Sequence, residues 1–122
     1  AESEVSLKEL KDILPEDKFE KKKELSVQII KERVAEKYDL KVSELESSSR
    51  KKDLARARHI AIYLSRELTD NSFPALGDKF GNRDHSTIIH SCRKIESMID
   101  ETPLFYEEIK EMKESLQQEY GD

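Results

Sequence analysis

The feature that most constrains the fold is a pair of helical segments separated by a few residues around Gly81. In residues 72–80, Ser72 can cap a two-turn helix, Pro74 is tolerated in its first turn, and Gly81 supplies a left-handed stop. A second helix is predicted after Asp84, because apolar residues recur on one face at Ile88, Cys92, Ile95 and Ile99. A short helix, a glycine turn and a longer helix are the pattern of a helix-turn-helix.

The residues at the start of the second helix are the candidates for reading DNA. In a helix-turn-helix, the N-terminal residues of the second helix reach base edges in the major groove. Arg83, Asp84, His85 and Ser86 occupy those positions. On spacing alone a plainer interpretation stays open, since helices joined by glycine turns are common and Asp84 can act only as a helix cap.

The run from Gly81 to Ile95, GNRDHSTIIHSCRKI, resembles the signature of the C-terminal domain of DnaA, the family of bacterial chromosomal replication initiators. The similarity continues through Arg56–Ala61 and Leu68–Thr69, and it covers roughly residues 23–118. It implies an all-α, compact helical domain with a helix-turn-helix, preceded by a linker helix. The implied function is sequence-specific binding of double-stranded DNA at origin DnaA boxes, for initiation of chromosomal replication.

The resemblance also assigns roles to individual residues. Asp84, His85 and Ser86 match the family's base-contacting trio, and Thr87 is placed for a phosphate. Ser86 stands where threonine is frequent, so it keeps the hydroxyl and loses a methyl that would pack on thymine. Phe73 replaces the more usual leucine before Pro74. The residues expected to contact DNA are Arg50, Lys52, Arg58, Arg66, Pro74, Arg83, Asp84, His85, Ser86 and Thr87.

A basic loop is predicted where three serines precede three cations, over residues 47–52. Such a loop is flexible and positively charged, and it can follow a phosphate ridge or enter a minor groove, unless it is merely exposed. By resemblance, Arg50 enters the minor groove and Arg58 meets the DNA backbone. Arg56, His59 and Arg66 share one helix face, where His59 is either a phosphate contact or an ordinary exposed residue.

The overall charge argues against nucleic acid, but its distribution does not. The net charge is -5, whereas binding to phosphates needs clustered Lys and Arg. Residues 50–94 carry 10 basic and 5 acidic side chains, while residues 95–122 carry 2 and 9. The one basic block therefore contains the helix-turn-helix.

The remaining segments complete a helical domain with an N-terminal extension. Residues 1–22 resemble the end of the family's ATPase domain plus a connector, and residues 23–122 form the DNA-binding domain. The connector over 16–25 is either a plain linker or, as the resemblance implies, a contact for acidic phospholipids. Contacts with other DnaA protomers would use domains absent from this chain. The further helices predicted are Val5–Leu14, Val27–Tyr38, one turn around Val42–Leu45, Leu54–Leu68, and Leu104–Glu119 as a brace.

Several kinds of chemistry are not expected in this chain. It lacks the GxxxxGK[ST] loop, so the family's ATPase activity is not expected here, and neither an enzyme nor a cofactor is predicted. His85 and His90 project about 140° apart on a helix, which disfavours zinc. The single cysteine and the absence of a signal peptide fit the cytoplasm.

Two functions other than origin binding stay open, a helix-turn-helix transcription regulator and a helical protein-interaction module. We expect the chain to be a monomer.

Overall fold

A computed structural model describes residues 24–120 as six helices. They are α1 (Val27–Lys37), α2 (Val42–Leu45), α3 (Lys52–Leu68), α4 (Phe73–Lys79), α5 (His85–Glu101) and α6 (Pro103–Glu119). This range contains no strand, which confirms the predicted all-α class. The helix expected over Val5–Leu14 and most of the 16–25 connector lie outside the described residues. No helix within the described range is long and apolar enough to cross a bilayer.

The helix ends follow local sequence chemistry; α1 ends and α6 begins one residue from the predicted bounds, and the start of α3 differs by two residues. Ser26 caps α1, its Oγ accepting from the Ile29 N–H at 3.2 Å. The third helix begins at Lys52 rather than at Leu54, so Asp53, whose residue type would also suit a cap just before Leu54, lies in its first turn. A carboxylate in that position still interacts favourably with the positive end of the helix dipole. In the one-turn α2, Glu44 accepts from the Lys41 N–H at 2.8 Å.

Helix α3 lies at the centre of the domain. It contacts each of the other five helices of the described range. Leu54, Ala57, Ala61 and Leu64 are buried along one face, and Ile60 and Ile62 on other faces have no exposed surface. A helix that is apolar around most of its circumference must be surrounded. The motif helices α4 and α5 therefore pack against a buried central helix.

The two motif helices have the predicted geometry. Ser72 Oγ accepts from the Ala75 N–H at 3.2 Å, and Gly81 adopts a left-handed φ of 79°. The turn then closes back on α4, because the Arg83 N–H donates to the Gly77 carbonyl at 2.9 Å. The start of α5 is therefore tied directly to the helix before it.

Helix α6 braces the motif from behind, as predicted. One of its faces is buried through Phe105, Ile109, Met112 and Leu116. Its outer side joins α1, where Arg33 Nη2 lies 2.6 Å from Glu119 Oε1.

We predict that Gly77→Ala destabilises the domain although it replaces glycine within a helix. Helix propensity alone favours alanine by about 1 kcal/mol. A Cβ at this position, however, would lie 2.1 Å from the Arg83 carbonyl oxygen, which is backbone and cannot rotate away. We expect a net loss of about 2 kcal/mol or more in the free energy of unfolding, measured by urea denaturation. Asp78→Ala, at the exposed neighbouring position, is the control, and equal stability of the two variants would contradict the prediction.

Candidate nucleic-acid interface

The first turn of α5 is exposed and pre-organised. Asp84 is the N-cap, and its Oδ2 accepts from both the N–H of Ser86, at 3.0 Å, and the Ser86 hydroxyl. These hydrogen bonds from Ser86 lower the pKa of the Asp84 carboxyl. His85 remains 59% exposed and Thr87 is also exposed. Asp84 therefore caps the helix while its charge stays at the surface beside His85.

The basic loop is more ordered than its composition predicts. Ser47 Oγ donates to the Glu44 carbonyl at 2.7 Å and accepts from the Ser49 N–H at 3.3 Å. Ser49 Oγ in turn accepts from the Lys51 N–H at 3.3 Å. The serines, which we expected to confer flexibility, instead make the local side-chain-to-backbone bonds that they favour in turns. Arg50, Lys51 and Lys52 are exposed on this framework.

Arg58 and Arg83 point into the protein, which differs from the direct DNA contacts expected of them. Arg58 is 6% exposed, and donates from Nε to the Leu45 carbonyl at 2.9 Å and from Nη2 to the Ser49 carbonyl at 3.0 Å. Arg83 donates from Nη2 to the Ser47 carbonyl at 2.6 Å. Burial lowers the pKa of both guanidinium groups. The reason for the inward orientation is that the loop carbonyls need donors.

Two arginines remain on the outer surface of α3. Arg56 stacks over the Phe105 ring with its Cζ 5.0 Å from the centroid. Arg66 stacks over Phe73 at 4.0 Å and donates from Nη1 to the Asn71 carbonyl at 3.0 Å. Phe73 thus provides an aromatic support for Arg66 beside the exposed Pro74.

His59 is half-buried rather than an ordinary exposed residue, and it makes a contact that the sequence did not predict. Its Nδ1 is hydrogen-bonded to Ser91 Oγ at 2.7 Å, and its ring meets the His90 ring edge-on, with centroids 6.5 Å apart. Burial, followed by the positive charges of Lys94 and Arg58, lowers its pKa to about 4. A neutral His59 therefore joins α3 to α5.

Lys94 is a further cation of this surface, which the sequence did not single out. Lys94 lines a groove shared by the basic loop, the first turns of α3 and Met98; its other lining side chains are Arg50, Lys52, Asp53, Ala55, Arg56 and His59. The available signal was the four-residue spacing of His90, Lys94 and Met98, which aligns them on one face of α5. The groove gathers cations from three parts of the chain.

The histidines and the cysteine of the motif do not converge. Cys92, on the apolar face of α5, is buried in the core, and burial raises the pKa of its thiol to about 11. Within residues 24–120 no three His, Cys, Asp or Glu side chains are grouped to hold a metal ion. Cys92 therefore contributes packing at the α5 interface.

Comparison with known proteins identifies the motif. The family described as "Bacterial dnaA protein helix-turn-helix" matches residues 27–95, which include α1 to α4 and the first part of α5. The chain belongs to this DnaA helix-turn-helix family. The match confirms the resemblance of Gly81–Ile95, and it includes every residue predicted to contact DNA.

Relatives of the DnaA domain are similar over most of this chain. The chromosomal replication initiator protein DnaA of Geotalea daltonii is 45% identical over 114 residues, covering 93% of this chain and 26% of that protein. The same-named protein of Symbiobacterium thermophilum is 41% identical, covering 88% of this chain and 23% of its own length. A crystal structure of a DNA replication initiation factor matches with a TM-score of 0.68 and 30% identity, over 74% of this chain and 27% of that one. The chain therefore spans about a quarter of the length of the relatives it matches.

We predict that His59 makes the DnaA domain less stable in mild acid. Its pKa is lowered in the folded state from an ordinary 6.5 to about 4. Between these values the unfolded chain binds a proton that the folded chain does not, so stability is full above about pH 6.5 and falls as the pH drops toward 4. His59→Gln can still reach Ser91 but does not titrate. Urea denaturation across this pH range should show a shallower fall for the variant, and parallel curves would contradict the prediction.

Proposed function

We propose that this chain is the DNA-reading part of a replication initiator and binds a DnaA box, a short asymmetric A/T-rich duplex. The observation that carries the proposal is the adjacency of two exposed elements, the basic loop and the first turn of α5. Arg83 immediately precedes the α5 cap Asp84, and its guanidinium hydrogen-bonds the Ser47 carbonyl of the loop. Two such neighbouring elements suit adjacent minor and major grooves.

In this proposal the first turn of α5 reads bases. The Asp84 carboxylate can accept from a cytosine amino group, the His85 imidazole can donate or accept, and Ser86 is small enough to lie against a thymine methyl. The Ser86 hydroxyl proton is directed at Asp84, which supports an acceptor role for its oxygen toward DNA. Thr87 is proposed to meet a phosphate.

The basic loop and the α3 surface are proposed to hold the DNA backbone. Arg50 is proposed to enter the minor groove, where narrow A/T stretches concentrate negative potential. The side chains proposed to contact phosphates are all exposed and positively charged: Lys51, Lys52, Arg56, Arg66 and Lys94. Helix α6 has exposed Glu107, Glu111 and Glu114 and would be repelled by DNA, which supports its place outside the interface.

We further propose that the chain acts as a cytoplasmic monomer on one box and performs no catalysis itself. One recognition helix and one loop contact adjacent grooves without a symmetry partner, so no palindrome is needed. ATP hydrolysis and contacts with other protomers are proposed for the remainder of the full-length protein. The acidic-phospholipid contact of residues 16–25 remains a prediction.

The direct test is a fluorescence anisotropy titration of the 122-residue chain with a DnaA-box duplex and with a scrambled duplex of equal composition. We expect a clear preference for the box and one protein per duplex by analytical ultracentrifugation. Equal affinity for both duplexes would overturn the proposed function. An obligate two-to-one complex on a single box would overturn the monomer.

We predict that Arg50 and Lys52 contribute differently to binding. Arg50→Ala should weaken box binding and relax base preference at the A/T-rich end, because Arg50 is proposed to read minor-groove shape. Lys52→Ala should lower affinity on all sequences alike and reduce the slope of log K against log salt by roughly one. Titrations at several salt concentrations on box and scrambled duplexes measure both effects. An Arg50→Ala protein with wild-type affinity and preference would contradict the assignment.

We predict that His85→Ala lowers affinity for the box roughly tenfold or more, since one good base contact contributes about 1–3 kcal/mol of discrimination. Its affinity for scrambled DNA and its melting temperature should change little, because the His85 side chain is 59% exposed and its Nδ1 lies 3.9 Å from Asp84 Oδ1, too far for a hydrogen bond. Asp84→Ala is the contrast: it also removes the helix cap, at a cost of about 1 kcal/mol, so it should lower both box affinity and stability. A proportional loss on both duplexes for His85→Ala would contradict base reading.

A further inference from the structure

Two inward-pointing arginines hold the segment that leads into the basic loop. Arg58 donates to the carbonyls of Leu45 and Ser49. Arg83 donates to the carbonyl of Ser47 and makes a longer contact, 3.5 Å, with that of Glu46. Every peptide carbonyl of residues 45–49 except that of Ser48 therefore meets a guanidinium group.

Arg83 also holds its own turn. Besides the loop carbonyl it donates to the Phe80 carbonyl at the end of α4. A guanidinium presents its donors in a rigid planar fork, so one side chain can set the distance between two backbone segments. Here the two segments are the α4–α5 turn and the start of the basic loop.

The surrounding contacts leave little room for this junction to rearrange. A Cβ on Gly81 would lie 2.3 Å from the Glu46 carbonyl oxygen, so the turn and the loop pack backbone against backbone. At the Glu46 side chain, the Nζ of the buried Lys31 lies 2.7 Å from Oε2 and also donates to the Lys79 carbonyl. Helices α1, α2 and α4 therefore converge on the same point.

We propose that Arg83 is a positioning residue, which with Arg58 fixes the basic loop relative to the first turn of α5 so that Arg50 and the α5 residues engage DNA in a single register. Base preference at the minor-groove end of the site then depends on a side chain that faces the protein interior. The proposal rests on the proposed function, since it concerns how the two DNA-contacting elements act together. Lysine cannot replace Arg83, because an ammonium group has no planar fork to span both carbonyls.

The first experiment needs no DNA and tests the positioning itself. Hydrogen exchange of the loop amides Ser49 and Lys51 is compared in wild type, Arg83→Lys and Met112→Ala, the last being a core truncation in α6 that destabilises the domain elsewhere. We expect exchange of the loop amides to rise at least tenfold in Arg83→Lys, and to rise in Met112→Ala only as far as global stability falls. Loop exchange in Arg83→Lys that merely follows its global stability would overturn the proposal.

The second experiment tests the consequence for base preference through a double-mutant cycle. Arg83→Lys, Arg50→Ala and the double variant are titrated on the box and on boxes altered only at the A/T-rich end. We expect Arg83→Lys to lose the same preference as Arg50→Ala, and the double variant to lose no more than either alone. Additive losses, or equal losses on box and scrambled DNA, would overturn the proposal. A wild type without box preference would instead identify failure of the proposed function, while the exchange experiment still decides the positioning.

Discussion

The hydrogen bonds from two inward-pointing arginines to loop carbonyls are the interaction on which the candidate interface depends. A segment without regular structure leaves its carbonyls without backbone partners, and away from water each of them needs a donor. Arg58 and Arg83 supply these donors to residues 45–49 from two different elements, the central helix and the helix-turn-helix turn. The same bonds that satisfy the backbone also set the spacing between the two exposed elements.

Charge in this protein is divided between structural and surface roles. Of the cations in the basic block, Arg58 and Arg83 are directed inward, and the surface charge is left to residues such as Arg50, Lys52 and Lys94. The domain can therefore present a positive face although the chain carries a net charge of -5. Counting Lys and Arg along the sequence identifies the correct region but overestimates how many of them can meet phosphate.

Much of the fold was predictable because it rests on local chemistry. The caps at Ser26 and Ser72 and the left-handed Gly81 depend on residues within one turn of each other. The buried face of α5 was also predictable from its apolar periodicity, and Ile88, Cys92 and Ile95 on that face are buried. The start of α3 was misjudged by two residues, because Asp53 is a good cap by type and yet equally suited to a first turn.

The sequence by itself determined the helical class, the helix-turn-helix and the family, since periodicity, capping and the Gly81–Ile95 run are properties of the chain read in order. Only the tertiary structure decided the orientation of the long polar side chains. His59 looked exposed, but it joins α3 to α5 through Ser91, a residue 32 positions away. Arg83 looked like a DNA contact, but its partner Ser47 lies 36 positions away. A flexible cationic side chain reaches several carbonyls or solvent, and the choice is set by which segments the core brings together.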